Sequence, residues 1–185
     1  MKKLVIVSTK VSGGKGGISS ALQGYINGLE ELSVPYILVE SHSDEKSMLS
    51  AWFSAFWQIA NLALKHRKEI VFWYHLGPWL SSFRKFTLAL FPRLLGCKTV
   101  AHIHSPTFND YLSTPGKSRF LVKLTLKPFK QLVMLTPWWQ ELLAKHTIKN
   151  SAVVSPNPNS EEYCKIAQSY IEKPRLLKEN QQTFN

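Results

Sequence analysis

The chain alternates short apolar runs with longer segments in which apolar residues recur at helical spacing. The apolar runs predict six strands, at residues 3–8, 36–40, 70–74, 99–103, 132–135 and 152–154. Between them, the helical spacing predicts five helices, at residues 19–32, 47–67, 78–95, 118–127 and 137–146. Apolar strands that alternate with helices indicate a parallel sheet, because crossover helices bury both of its faces. The sequence therefore predicts an α/β fold, a doubly wound, Rossmann-like parallel sheet that binds ligands at the carboxyl ends of its strands.

The length and the end of the chain bound its domain organisation. A chain of 185 residues favours one domain, which we assign to residues 1–172. The last stretch, residues 173–185, is mostly polar and is interpreted as a linker, with a frayed terminus as the alternative. Two cysteines, Cys97 and Cys164, without a Cys-x-x-Cys pair suggest neither a disulfide framework nor a zinc site and favour a reducing cytoplasm. No apolar run has the roughly 18 residues that a membrane span requires.

A glycine-rich loop follows the first predicted strand. It consists of Gly13, Gly14, Lys15, Gly16 and Gly17, which can bring backbone N–H groups close to a phosphate or a sugar at a helix N-terminus. A Walker A loop is disfavoured, because Ile18-Ser19 follows where Lys-Ser/Thr is needed. A dinucleotide site stays open as an alternative, since Glu40 lies roughly where a ribose-binding carboxylate belongs. A merely tight turn is the structural alternative.

Histidines follow the third and fourth predicted strands. His75 and His104 lie at the carboxyl ends of these strands, where a parallel sheet forms its binding crevice. A histidine there can hydrogen-bond a hydroxyl or transfer a proton near neutral pH. His102 points to the same face as His104 but lies deeper in the strand, where a core histidine with its hydrogen bonds satisfied is expected. No metal site and no nucleophile triad are predicted.

Five segments in order resemble the N-terminal domain of GT-B glycosyltransferases, specifically the large retaining family 4. They are the glycine pairs at 13–14 or 16–17, the third strand at 70–75, the fourth strand with its histidine at 98–105, the strand-to-helix turn at 135–143 and the domain end at 153–157. The resemblance covers roughly the first 160 residues. It departs from the family at Asn157, which is followed by Pro158-Asn159 where Gly-Val is usual.

The resemblance implies a half-enzyme. In this family the nucleotide diphosphate sugar is the donor substrate and is held mainly by a C-terminal domain with two glutamates, and no such domain is found here. The N-terminal domain would bind a sugar or lipid-linked sugar acceptor, with His104 as the catalytic residue. The glycine loop, His75 and Asn157 would contact donor or acceptor, and no cofactor is needed. The alternatives are a stand-alone nucleotide- or sugar-binding module and, less favoured, an NAD-binding domain.

Charge adds a candidate partner. Lys and Arg number 23 against 12 Asp and Glu, a net charge of +11 that favours a polyanionic partner. Basic residues at 84, 85 and 93 share a predicted helix with Trp79, Phe83, Phe86, Leu90 and Phe91, and residues 117–130 repeat this mixture. Such faces suit an anionic membrane surface, or else are the core faces of amphipathic helices. No nucleic-acid motif is present. We therefore expect a cytoplasmic enzyme fragment, peripheral to the inner face of the membrane, that assembles cell-surface polysaccharide.

Overall fold

A computed structural model of the chain describes residues 3–10, 17–42 and 47–158. Its strands are β1 Lys3–Thr9, β2 Tyr36–His42, β3 Ile70–Leu76, β4 Lys98–Ile103, β5 Gln131–Met134 and β6 Ser151–Val154. Its helices are α1 Gly17–Glu31, α2 Met48–His66, α3 Trp79–Leu94, α4 Thr107–Ser113, α5 Lys117–Leu126 and α6 Trp138–Lys145. A 3₁₀ turn, Arg67–Glu69, leads into β3. Helices and strands alternate as predicted, apart from this turn and α4, which the sequence analysis did not predict.

The six strands form one parallel sheet in the order β2-β1-β3-β4-β5-β6. The larger apolar core lies on one face and draws side chains from every helix between α2 and α6. The smaller core joins Ile6 of β1 to Leu22 and Ile26 of α1 on the other face. Helices therefore cover both faces, which confirms the predicted doubly wound, Rossmann-like α/β fold. The order in which strands are added to the sheet reverses between β1 and β3, so the crevice expected to bind ligands lies at the carboxyl ends of these two parallel strands.

Helix α3 continues past Pro92, although proline has no N–H to donate to the carbonyl four residues earlier. That carbonyl belongs to Leu88, and it accepts a hydrogen bond of 3.3 Å from the Tyr74 hydroxyl. The strand next to α3 thus supplies the donor that proline lacks, and the helix remains a single element. Among the helices that the structure describes, none is long and apolar enough to cross a membrane.

Candidate functional site

A cleft of about 500 Å³ opens at the carboxyl edge of the sheet. Thr9 and His42, the last residues of β1 and β2, line it together with Ile18 near the start of α1. Side chains from the first turns of α3 complete its wall, among them Ser81 and Arg84. The cleft therefore lies at the point where the strand order reverses, which is where this fold class binds its ligands.

Three histidines meet at the same edge of the sheet. His75 of β3 pairs in register with His102 of β4, and His104 directly follows β4. Nδ1 of His75 and Nε2 of His104 are 2.9 Å apart, so one imidazole donates a hydrogen bond to the other. His75 and His102 are fully buried, whereas His104 keeps part of its surface exposed. Of the three rings, only that of His104 has exposed surface, and His75 contacts it from inside the sheet edge.

Aromatic rings and a short C-terminal segment enclose these histidines. Trp73 stacks on His102 with ring centroids 5.7 Å apart, and Tyr25 of α1 meets the edge of His102 at 5.3 Å. The Tyr25 hydroxyl donates a hydrogen bond of 2.8 Å to the carbonyl of Pro156. The segment after β6 is thereby tied to α1 beside the histidines.

Burial keeps all three imidazoles neutral at pH 7. It is the main cause that lowers the pKa of His102 to about 3, followed by the positive charge that His104 could carry, and the Ser155 backbone partly opposes both. Burial and then the ammonium of Lys85 lower the pKa of His104 to about 4, an effect that the Asn157 side chain partly opposes. The pKa of His75 is also held well below its ordinary value, chiefly by burial. The cluster therefore acts through hydrogen bonds rather than through charge.

The contact between His75 and His104 constrains their tautomers. Within the described structure, Nε2 of His75 and Nδ1 of His104 have no hydrogen-bond partner. If His75 donates through Nδ1, its buried Nε2 is left as an acceptor without a partner. His104 then carries its own proton on Nδ1. That Nδ1 is itself buried, so either tautomer leaves one buried N–H without a partner, and a ligand oxygen reaches it only where binding exposes the nitrogen.

Lys85 lies buried below this edge, although the basic and aromatic pattern of its helix predicted a surface position. It has no exposed area, and its ammonium donates a hydrogen bond of 2.8 Å to Oγ of Ser81. Burial, and then the charge of Arg84, lower its pKa to about 7. The surface prediction is therefore wrong for this residue. The spacing of the sequence is consistent with the burial of Lys85, because Ser82, Lys85 and Ala89 recur at helical spacing and all three are buried.

The histidines are also the one group in the described part of the chain with the spacing of metal ligands. Ligand atoms of His75, His102 and His104 all lie within 4.8 Å of one another. Histidines that bind metal nearly always donate their second N–H to a carboxylate or carbonyl, but here only the Ser155 backbone beside His102 approaches that role, and no described carboxylate hydrogen-bonds to these rings. Lys85 adds positive charge nearby, as its effect on His75 and His104 shows. The surroundings thus favour a neutral hydrogen-bonding cluster over a divalent cation.

Pro158 packs against α1 at a glycine. A Cβ added to Gly24 would lie 2.7 Å from Cβ of Pro158, whereas one added to Gly28 on the same helix would meet nothing within 4 Å. Alanine favours a helix over glycine by about 0.5–1 kcal/mol, so Gly28→Ala should raise the free energy of unfolding by that amount. Gly24→Ala should instead lower it by about 1 kcal/mol, because a clash with the proline ring outweighs the same gain. Urea unfolding of both variants measures the difference, and equal gains would contradict this packing.

The structure brings some of the predicted site residues together. His75 and His104 are in contact, and the exposed Asn157 is near enough to affect His104. Gly17 is the first residue of α1, with open space around it. The rest of the glycine loop, Gly13, Gly14, Lys15 and Gly16, and the predicted linker lie outside the described residues.

Two findings differ from expectation. His102 is buried as predicted, but neither ring nitrogen has a partner at full hydrogen-bonding geometry, and only the Ser155 backbone lies near enough to raise its pKa, so the expected hydrogen bonds of a core histidine are not fully formed. Strand β2 continues to His42, which places Glu40 two residues before the strand end, in register with Ser8. The carboxylate on which the dinucleotide alternative depends is thus set back from the edge of the sheet.

Comparison of the sequence with protein-family models finds no match, and comparison with curated proteins finds none either. The assignment of a function therefore depends on the geometry of this edge and on the resemblance of the five sequence segments.

Proposed function

We propose that the chain is the N-terminal, acceptor-binding domain of a retaining glycosyltransferase that uses a nucleotide diphosphate sugar. The observation that carries the proposal is the position of His104. It is a partly exposed, neutral imidazole at the carboxyl edge of a parallel sheet, held by His75 and next to the strand-order reversal. The resemblance to GT-B family 4 places a sugar-facing histidine on the same strand.

The proposed role of His104 is to hydrogen-bond a sugar hydroxyl through Nδ1, which is buried in this structure and must become exposed when a ligand binds. With a pKa of about 4, its imidazole is a weak base at neutral pH and is poorly suited to remove a proton from a hydroxyl. The acceptor proton must then go to another base, and the leaving diphosphate is one that the reaction itself supplies. His104 thus orients a reactant, as expected for transfer that depends on positioning and on stabilisation of the diphosphate.

The partners follow from the same proposal. The acceptor is a sugar or a lipid-linked sugar, the donor is held mainly by a C-terminal domain, and nucleic acid is not a partner. The net charge of +11 suits an enzyme that works at the anionic inner face of a membrane, in the assembly of cell-surface polysaccharide.

Sugar transfer by the complete natural product that contains this sequence tests the proposal. Labelled nucleotide diphosphate sugars are incubated with that product and a membrane lipid extract, and the 185-residue chain alone serves as the reference. We expect transfer by the complete product and none by the chain alone. A natural product that ends at Asn185 and binds a nucleotide or sugar without transferring it would favour the stand-alone module instead.

A substitution assigns the role to a residue. His104→Ala in the complete product should lower kcat/KM by at least about tenfold, the equivalent of one lost hydrogen bond of about 1.4 kcal/mol in the transition state. The matched control is His66→Ala, since His66 ends α2 and its ring contacts Lys3 at the opposite end of β1. It should leave transfer unchanged. Normal transfer by a folded His104→Ala variant would remove His104 from the site.

A further inference from the structure

The outer face of α2 is apolar and open to solvent. No residue from Met48 to Leu64 carries a charge. Three large side chains spaced four residues apart are more exposed than buried: Leu49 at 69%, Phe53 at 56% and Trp57 at 64%. A surface helix of a soluble domain normally turns charged or polar residues to the solvent. This helix instead presents an aromatic and aliphatic stripe.

Helix α3 lies beside α2 and extends this apolar area. Leu80 and Phe83 are exposed in its first turns, and Leu90 and Leu94 are exposed further along. A groove of about 350 Å³ runs between the two helices and is lined by Leu49, Phe53, Leu80 and Phe83, among others. We call the exposed stripe of α2 together with Leu80 and Phe83 the α2–α3 face. Contiguous apolar surface of this kind marks an interaction site.

The groove continues into the cleft at the carboxyl edge of the sheet. Met48, Leu80 and Arg84 line both cavities. A molecule with a long apolar part and a polar head could therefore place its apolar part between α2 and α3 and its head in the cleft. This continuity links the α2–α3 face to the cleft at the same sheet edge as the histidine cluster, although none of the three histidines lines that cleft.

Charge selects the partner of this face. The chain carries +11, so a second copy would bring like charge against like charge. An anionic bilayer complements it, and exposed basic residues, Lys65, Arg67 and Lys68, lie at the end of α2. Trp, Phe and Leu beside a basic rim are the composition of elements that lie in the membrane interface. Aromatic side chains in particular favour the boundary between acyl chains and headgroups.

We propose that the α2–α3 face docks on the surface of an anionic bilayer, with Leu49, Phe53 and Trp57 inserted among the acyl chains. The groove then opens toward the lipid. The neighbouring cleft receives a headgroup whose acyl chains stay in the membrane. The inference rests on the proposed function for its link between membrane and acceptor, and it adds the face that carries the contact. The mixture of basic and aromatic residues in the sequence indicates α3 and residues 117–130 for this role, but not α2, which carries no charge from Met48 to Leu64.

Vesicle binding by the 185-residue chain tests the proposal directly. The chain is sedimented with phosphatidylcholine vesicles that contain or lack phosphatidylglycerol. We expect binding to the anionic vesicles and much weaker binding to the neutral ones. The double variant Phe53→Ser/Trp57→Ser should lower the partition coefficient by about tenfold or more, because both side chains would leave the acyl region.

A matched double variant controls for the general loss of exposed apolar area. Leu32→Ser/Phe120→Ser removes two side chains of similar exposure, 75% and 64%, from other helices or their ends, and it should bind as the parent chain does. Circular dichroism verifies that both double variants remain folded. Absence of vesicle binding, equal loss in both variants, or a dimer in solution that only Phe53→Ser/Trp57→Ser disrupts would overturn the proposal.

The outcome is separable from that of the proposed function. A complete product that binds vesicles but transfers no sugar would contradict the transferase proposal and leave the docking face standing. A complete product that transfers sugar to a soluble acceptor but does not bind anionic vesicles would contradict the docking face and support the transferase proposal.

Discussion

Lys85→Met should make the protein more stable by about 3 kcal/mol at pH 7. The folded chain lowers the pKa of this lysine from 10.5 to about 7, mainly by burial, so keeping it in place costs about 4 kcal/mol at neutral pH. Methionine has a similar shape and no charge. Its gain is reduced by about 1 kcal/mol for the hydrogen bond to Ser81 that it cannot make. Urea unfolding at pH 7 measures the net change.

The pH dependence identifies the cause. Between pH 7 and pH 10.5 the unfolded chain binds the Lys85 proton and the folded chain does not, so the stability of the parent protein should rise with pH across this window. In Lys85→Met this rise should be absent. Lys117→Met, at an exposed position on α5, is the control and should change stability by less than about 0.5 kcal/mol. A Lys85→Met protein that is less stable than its parent would indicate an anionic partner for the ammonium.

The same variant separates stability from function. A buried cation at the edge of a binding cleft is a cost that functional sites often carry, and stabilising changes at such positions commonly reduce activity. If the complete product with Lys85→Met is more stable but transfers less sugar, then Lys85 serves the site and not the fold. Unchanged transfer would leave Lys85 without a role in the reaction.

The strands and the long helices were predictable because each carries its own periodicity. Short, near-continuous apolar runs such as that of β3 are typical of strands buried on both faces. Their alternation with helices indicates a parallel sheet. Helix α4 was missed because its seven residues, Thr107–Ser113, are too few to show a period. The apolar periodicity could not predict where the strand order reverses, because this depends on which strands pair in three dimensions.

The candidate site shows the same limit more sharply. The positions of His75 and His104 at strand ends were visible in the sequence, but their contact depends on the register that sets His75 opposite His102. The two free nitrogens of His102 depend on packing against Trp73 and Tyr25, which no local pattern encodes. The roles given to the glycine loop stay predictions, since residues 13–16 lie outside the described structure.

Acid should destabilise the protein through the histidine cluster. At pH 5 the unfolded chain protonates His102 and His104, whereas the folded chain keeps both neutral because their pKa values are about 3 and 4. Stability is thus present above the ordinary histidine pKa of about 6.5 and is lost as the pH falls below it. Each residue contributes about 2 kcal/mol at pH 5, or about 4 kcal/mol together, and His75 acts in the same direction. Urea unfolding at pH 8 and pH 5 measures this loss.

Two substitutions of His102 separate its titration from its packing. Phenylalanine keeps the ring that stacks on Trp73 and removes both unpartnered nitrogens, so His102→Phe should match or exceed the parent stability at pH 8. Glutamine also cannot titrate but keeps a buried polar group, so His102→Gln should be less stable at pH 8. Both variants should recover about 2 kcal/mol of the loss between pH 8 and pH 5.

The histidines and Lys85 change the free energy of unfolding in different pH ranges. Each effect can therefore be measured without interference from the other. The histidines act below about pH 6.5 and Lys85 acts above about pH 7, so stability should rise in two phases from acid to alkali. His102→Phe should shrink only the acid phase, and Lys85→Met should remove only the alkaline one. An acid phase that stays equally steep in His102→Phe would mean that other groups cause it and that the cluster accepts protons while folded.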